Sequence, residues 1–186
     1  MTENSSFQYR WVTGDGGPLI TMESRLLTFW EGSDAPSDGR VVEAEFRWGL
    51  DVATDYDKAC DVNDLAGVID INNGTAFVLS TENSMATWLP EFMGFDGAII
   101  EWDYADGESE LIEEASILVA EGAFSRSVKY EVSSSPLVLF VAAEGGQESG
   151  YKRQTFEVGV GNYTVKSGRR VTDRTSVVCH LFQLQG

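Results

Sequence analysis

The stretch GVIDINNGTAFVL at residues 67–79 constrains the fold more than any other part of the chain. Two apolar runs flank Asn73-Gly74, a pair favoured in two-residue hairpin turns because both central residues then take positive φ. An antiparallel β-hairpin is therefore the firmest local expectation. Period-two alternation recurs elsewhere. VVEAEFRW at 41–48 places Val42, Ala44, Phe46 and Trp48 on one face, and residues 98–104 read as a further strand. Beyond Gly122, Phe124, Val128, Tyr130 and Val132 share one face while Ser125, Ser127, Lys129 and Glu131 share the other. LVLFVAA, QTFEVGVG, NYTVKS and SVVCHLFQL follow, separated by glycine- and serine-rich turns, which predicts a C-terminal antiparallel sandwich.

The N-terminal part mixes patterns. Residues 7–13 alternate as a first strand, GDGG at 14–17 reads as a tight turn, and Pro18 suits an edge or the start of the strand PLITM. ESRLLTFW sets Leu26, Leu27 and Trp30 at helical spacing. TDYDKACD predicts a helix that Thr54 or Asp55 can cap, with early acids suiting the positive end of its dipole. Trp88-Leu89-Pro90 suggests a buried corner. ESELIEEASILVAEG fits a helix face through Leu111, Ala115 and Leu118, although SILVA alone could begin a strand. The fold class expected is α+β and β-rich. An α+β part with short helices packed on a sheet spans 1–106, a seam spans 107–122, and an antiparallel sandwich-like part spans 123–186.

Charge is the main physical pointer to function. The chain has 186 residues and a formal net charge of −17. No lysine or arginine occurs between Lys58 and Arg126, yet residues 59–125 hold fourteen Asp and Glu. A folded segment that acidic repels itself, so its field invites a basic partner, while phosphate-bearing nucleic acid or an anionic membrane would be repelled. The N-terminus lacks the basic and apolar regions of a signal peptide, and the longest apolar run, at 137–143, has strand length. A cytoplasmic protein is expected, with Cys60 and Cys179 reduced.

No catalytic signature emerges. The single histidine, His180, sits in an apolar strand, and its neighbour Cys179 would point to the opposite face. No compact set of zinc ligands and no calcium-loop pattern is present, so neither metal nor cofactor is expected. GDGG is too short and wrongly spaced for a phosphate loop. Two rival classes stay open. A carboxylate-dependent hydrolase would draw on Asp55, Asp57, Glu101 and Asp103. A carbohydrate-binding sandwich would expose Trp48, Trp88 or Trp102 as a flat platform.

A series of short motifs in order carries a family resemblance. They are W-V-x-x-x-G-G-P-L-I at 11–20, L-x-x-F-W-x-G at 26–32, D-Y-D-K-A-C at 55–60 and G-V-I at 67–69. A-F-V-L at 76–79, T-W-L-P at 87–90, W-D-Y-A-D at 102–106 and G-V-G-N-Y-T-V at 159–165 continue the series. Together they resemble the immunity-protein family numbered 21 of bacterial polymorphic toxin systems. The resemblance implies a non-enzymatic protein that binds and blocks a cognate protein toxin, and it carries no residue-level site. Many such toxins act on nucleic acids and are basic, so an acidic inhibitor can mimic phosphate and speed encounter. The expected partner-binding surface is Glu101, Asp103, Asp106, Glu108, Glu110, Glu113 and Glu114.

Overall fold

The computed structural model describes residues 8–14, 17–34, 54–81, 85–148 and 152–186. In chain order its strands are β1 (Val12–Thr13), β2 (Leu19–Glu23), β3 (Ala66–Ile71), β4 (Gly74–Leu79), β5 (Met85–Pro90) and β6 (Gly97–Tyr104). They continue with β7 (Arg126–Val132), β8 (Leu137–Val141), β9 (Gln154–Phe156), β10 (Gly161–Val171) and β11 (Ser176–Leu184). Two α-helices, α1 (Asp55–Cys60) and α2 (Glu108–Glu121), and short 3-10 segments at Ser24–Phe29, Gly32–Asp34 and Phe92–Gly94 complete the described elements.

The strands form two antiparallel sheets. One has six strands in the order β1-β5-β6-β11-β10-β7, and the other has five in the order β3-β4-β2-β8-β9. Phe77, Trp88, Ile99, Leu139, Tyr163 and Phe182 are among the side chains buried between them. The outer face of the six-stranded sheet is covered by α2, through Leu111, Ala115 and Leu118 against Ala98, Ile100, Val177, Cys179 and Leu181. The outer face of the five-stranded sheet packs Ile20, Met22, Val78 and Phe140 against Leu26, Trp30 and Ala59. Central strands buried on both faces lose the simple alternation of a half-exposed strand. That explains the unbroken apolar text of β2, β8 and β11.

The architecture is α+β and β-rich, and local physics accounts for its details. Thr54 caps α1 in a reciprocal box with Asp57. Gly122, at φ 64, closes α2 in the left-handed conformation that glycine tolerates best. Residues 108–121 form one helix throughout, so SILVA does not begin a strand.

The expected hairpin is present, but its turn lies one residue earlier than Asn73-Gly74. Ile71 pairs with Gly74, which leaves Asn72 and Asn73 as the turn, with positive φ at Asn72. Gly74 serves packing instead: a Cβ there would stand 2.8 Å from Leu26 Cδ1. Trp88-Leu89-Pro90 is not a corner but the second half of β5. The six residues around Leu26 and Leu27 form a 3-10 segment. Among the described residues of the first expected strand, Val12–Thr13 pairs, and the 41–48 strand lies outside the described residues.

Both sheets take strands from residues 1–106 and from 123–186. Strand β11 pairs with β6, and β8 pairs with β2, so the sandwich is built by the two halves together rather than by the C-terminal part alone. Residues 107–122 are occupied by α2, packed on that shared sheet.

Candidate functional site

The acids singled out in the sequence fall on the end of β6 and on α2. Helix α2 starts without a side-chain cap at Gly107, and Glu108 and Glu110 in its first turn favour the positive end of its dipole. Its buried stripe of Leu111, Ala115 and Leu118 leaves Glu110, Glu113, Glu114 and Glu121 on the outward side.

Each acid has a definite place. Asp103 is exposed and accepts the Ser176 hydroxyl at 2.8 Å. Asp106 and Glu110 face Arg174 at 3.0 and 3.6 Å. Glu114 and Glu121 both reach Arg170 on β10, the second at 2.9 Å. Glu113 is exposed and has no ion-pair partner among the described residues. Glu108 straps the N-terminal segment to the helix. It accepts the amide N–H groups of Gln8 and Tyr9 and the Trp11 indole N–H, the last at 2.7 Å. Bonding to Glu114 holds the Arg170 guanidinium above its ordinary range, and bonding to Asp106 does the same for Arg174. Six carboxylates on and beside α2 thus meet two guanidinium groups, and that face stays negative, while Asp103 is engaged apart from it by Ser176.

Glu101 does not belong to that surface. It is fully buried on the sandwich side of β6. Its Oε1 lies 2.6 Å from His180 Nε2 on β11 and accepts the Thr81 hydroxyl at 3.2 Å. On the far side of the ring, His180 Nδ1 is 2.7 Å from Ser167 Oγ on β10. The strands impose this grouping, because Ser167 sits opposite His180 and Glu101 opposite Val178 in the ladders.

Serine, histidine and glutamate thus meet in a chain that sequence reading did not anticipate. All three are fully buried, and His180 stands edge-on to Phe77 at 5.4 Å in the core. Full burial of all three fits an internal polar brace. Alternation held the available signal. Ile99 and Glu101 share a strand face, as do Val178, His180 and Phe182, so an inward Ile99 implies an inward Glu101.

The carboxylates considered for hydrolysis are dispersed. Asp57 closes the cap of α1 and Asp55 pairs with Lys58 at 2.7 Å, both over the five-stranded sheet. Glu101 and Asp103 belong to the other sheet. Trp88 is 5% exposed and stacks on Phe156 at 4.5 Å, and Trp102 is partly buried edge-on against Trp11. Neither offers a flat sugar platform, and Trp48 lies outside the described residues. Burial pushes the Cys179 thiol up to about 12, which removes it as a nucleophile near neutrality. Among the described residues no group of His, Cys, Asp and Glu is placed to hold a metal ion.

Against known protein families, the family described as Immunity protein 21 matches residues 10–176. The chain belongs to the Immunity protein 21 family. The match takes in ten of the eleven strands and both helices, and it stops where β11 begins. No curated protein and no solved structure matches the chain. Membership in the Immunity protein 21 family brings an immunity role, and with it the binding of a toxin partner. No helix among the described residues is long and apolar enough to cross a membrane.

Proposed function

We propose that this chain neutralises one cognate toxin of a bacterial polymorphic toxin system by binding it in the cytoplasm, without catalysis of its own. The observation that carries this reading is the family match over residues 10–176. The physical support is the charge. A net −17 concentrates in the middle of the chain, and the acids of β6 and α2 outnumber the arginines that face them. Such a surface draws a basic toxin in from a distance and competes with the phosphates that a nucleic-acid-cleaving toxin would bind. Asp103, Asp106, Glu108, Glu110, Glu113 and Glu114 form the proposed steering face.

Co-expression of this chain with the C-terminal domain of the toxin encoded in the neighbouring reading frame tests the role. Relief of growth inhibition is expected. A toxic domain whose effect this chain leaves unchanged refutes it. The steering face calls for a narrower test that spares the structural acids Glu108 and Glu114. Asp106→Lys, Glu110→Lys and Glu113→Lys together should slow association about tenfold at low salt and flatten its salt dependence. Unaltered rates would remove this face from the mechanism.

A further inference from the structure

The end of the sandwich opposite the start of α2 carries a different kind of surface. Met93, Val160 and Leu184 are 48%, 62% and 37% exposed there, although each is a side chain that folding normally covers. Strand pairing brings the segments that carry them to one end. Gly97 at the start of β6 pairs with Phe182 near the end of β11, so the β5–β6 turn at residues 91–96 lies beside Leu184. Asp96 Oδ2 accepts the Leu184 amide N–H at 2.7 Å and ties the two segments. Val160 sits between Gly159 and Gly161, and both glycines abut Leu184. A Cβ at Gly161 would stand 2.7 Å from Leu184 Cδ1.

The turn that presents Met93 is held in an unusual shape. Glu91 and Met93, neither of them glycine, both take left-handed backbone angles, with φ 51 and φ 55. Phe92 between them is 9% exposed and anchors the turn in the apolar layer under α2. The Phe95 amide N–H donates to the Phe92 carbonyl at 3.0 Å and the Glu91 amide N–H donates to the Asp96 carbonyl at 3.3 Å. Phe92 and Phe95 enter the core, while Met93 points away from it.

The charge around this apolar centre is uncompensated. Glu91, Asp96 and Glu157 are exposed, and none has an ion-pair partner among the described residues. No lysine or arginine occurs in 91–97, 157–162 or 182–186. The acids of α2 differ in this respect, because Arg170 and Arg174 answer several of them. An apolar centre with a one-signed polar rim is the anatomy of a protein contact, and methionine adapts its shape to the surface it meets.

We propose that Met93, Val160 and Leu184 form the anchoring contact for the toxin, seated in an apolar depression bordered by lysine or arginine. The proposal rests on the immunity reading and assigns the close contact to this end, leaving long-range steering to the α2 face. The test uses the full chain and the toxin domain encoded beside it. Met93→Arg with Val160→Arg places two positive charges on exposed positions outside the core. Affinity should fall at least a hundredfold, mainly through faster dissociation, with the unfolding midpoint unchanged. An affinity within threefold of the parent's would overturn the proposal. A photo-crosslinking residue at position 93 should capture the toxin, whereas one at Val171, at the other end and 60% exposed, should not. Capture from 171 alone, or capture of a second copy of this chain from 93, would equally overturn it. A parent chain that neither binds the toxin nor relieves its toxicity would sink the immunity reading, and this contact with it.

Discussion

Glu101 offers the sharpest separation between a residue that binds and a residue that braces. It belongs to the acidic run that suggests a partner surface, yet it is fully buried, 2.6 Å from His180. Replacing it by Met removes the carboxylate while keeping most of the volume. His180 and Thr81 then each lose an oxygen acceptor inside the sandwich. A buried donor left without its acceptor costs about 1–3 kcal/mol. Two buried donors lose one here, so the expected loss is about 3–5 kcal/mol.

With a urea dependence of about 2 kcal/mol per molar, a loss of about 3–5 kcal/mol lowers the unfolding midpoint by roughly 1.5–2.5 M. Chemical denaturation followed by tryptophan fluorescence measures this directly. A cycle of Glu101→Met and His180→Phe on a Ser167→Ala background leaves no hydroxyl orphaned beside the ring. It should return a coupling energy of about 2 kcal/mol or more, as expected for groups in direct contact. Toxin association by the folded fraction of Glu101→Met should stay at the parent rate. A midpoint lowered by less than about 0.5 M, or a slowed association with unchanged stability, would refute the placement of Glu101 as an internal brace.

Three further outcomes follow from the packing of the sandwich. Glu23 is 2% exposed; burial opposes its ionisation, but the Ser133 amide, the Ser134 hydroxyl, Arg25 and the Ser133 hydroxyl outweigh that and hold its carboxyl below the ordinary 4.5. Its stabilisation is therefore complete above about 4.5 and lost as pH falls through the lower folded value, so Glu23→Gln should cost about 2 kcal/mol at pH 7 and progressively less in acid. Urea midpoints of both proteins at pH 7 and pH 3 check this, and a gap that does not narrow would contradict it. Gly97→Ala should destabilise the fold by about 3 kcal/mol, since overpacking at a fixed backbone is costly and a Cβ there would lie 2.2 Å from Trp88 Cζ2; thermal unfolding reads the loss, and an unchanged midpoint would show that the Trp88 ring moves freely. Neither cysteine is in a disulfide, Cys60 is exposed and Cys179 is buried, so a thiol reagent at pH 8 should modify one cysteine quickly and the second only in denaturant. Two fast-reacting thiols in the native protein would contradict that burial.

Features that depend on neighbours along the chain were legible, and those that depend on strand order were not. The hairpin of β3 and β4, the capped α1 and the amphipathic α2 follow from patterns spanning a dozen residues or fewer. The position of the hairpin turn did not, because Gly74 enters the ladder opposite Ile71 and packs beside Leu26 of a different segment. The split into two parts looked natural because strand-like text thickens after Gly122. It hid the fact that β11, the last strand written, inserts beside β6 at the middle of the six-stranded sheet. That single insertion brings His180 to Glu101 and Ser167, and packs Cys179 under α2. The acidic face was visible as composition, whereas its partial neutralisation by Arg170 and Arg174 depends on where β10 ends.

Layering also limits how such a protein can meet a partner. Each sheet buries one face against the other sheet and has much of its second face covered, by α2 on one side and by α1 with the Ser24–Phe29 segment on the other. The sheet faces are thereby spent on stability. What the described residues leave to a partner is the outward side of α2, the sheet edges and the two ends of the sandwich. Three of the four edges are poor candidates on their own: β1 and β9 have two and three residues, and β7 carries Arg126, Lys129 and Glu131, charges that discourage pairing, which leaves β3 as the longer, less charged edge. Among the described residues, α2 and the ends are therefore the surfaces that the proposed binding role draws on. At one end arginines answer much of the acidic charge, and at the other Met93, Val160 and Leu184 stand in an acidic rim with nothing opposite them among the described residues. The first arrangement is suited to holding a helix on a sheet while steering a cation inward, and the second to gripping it on arrival.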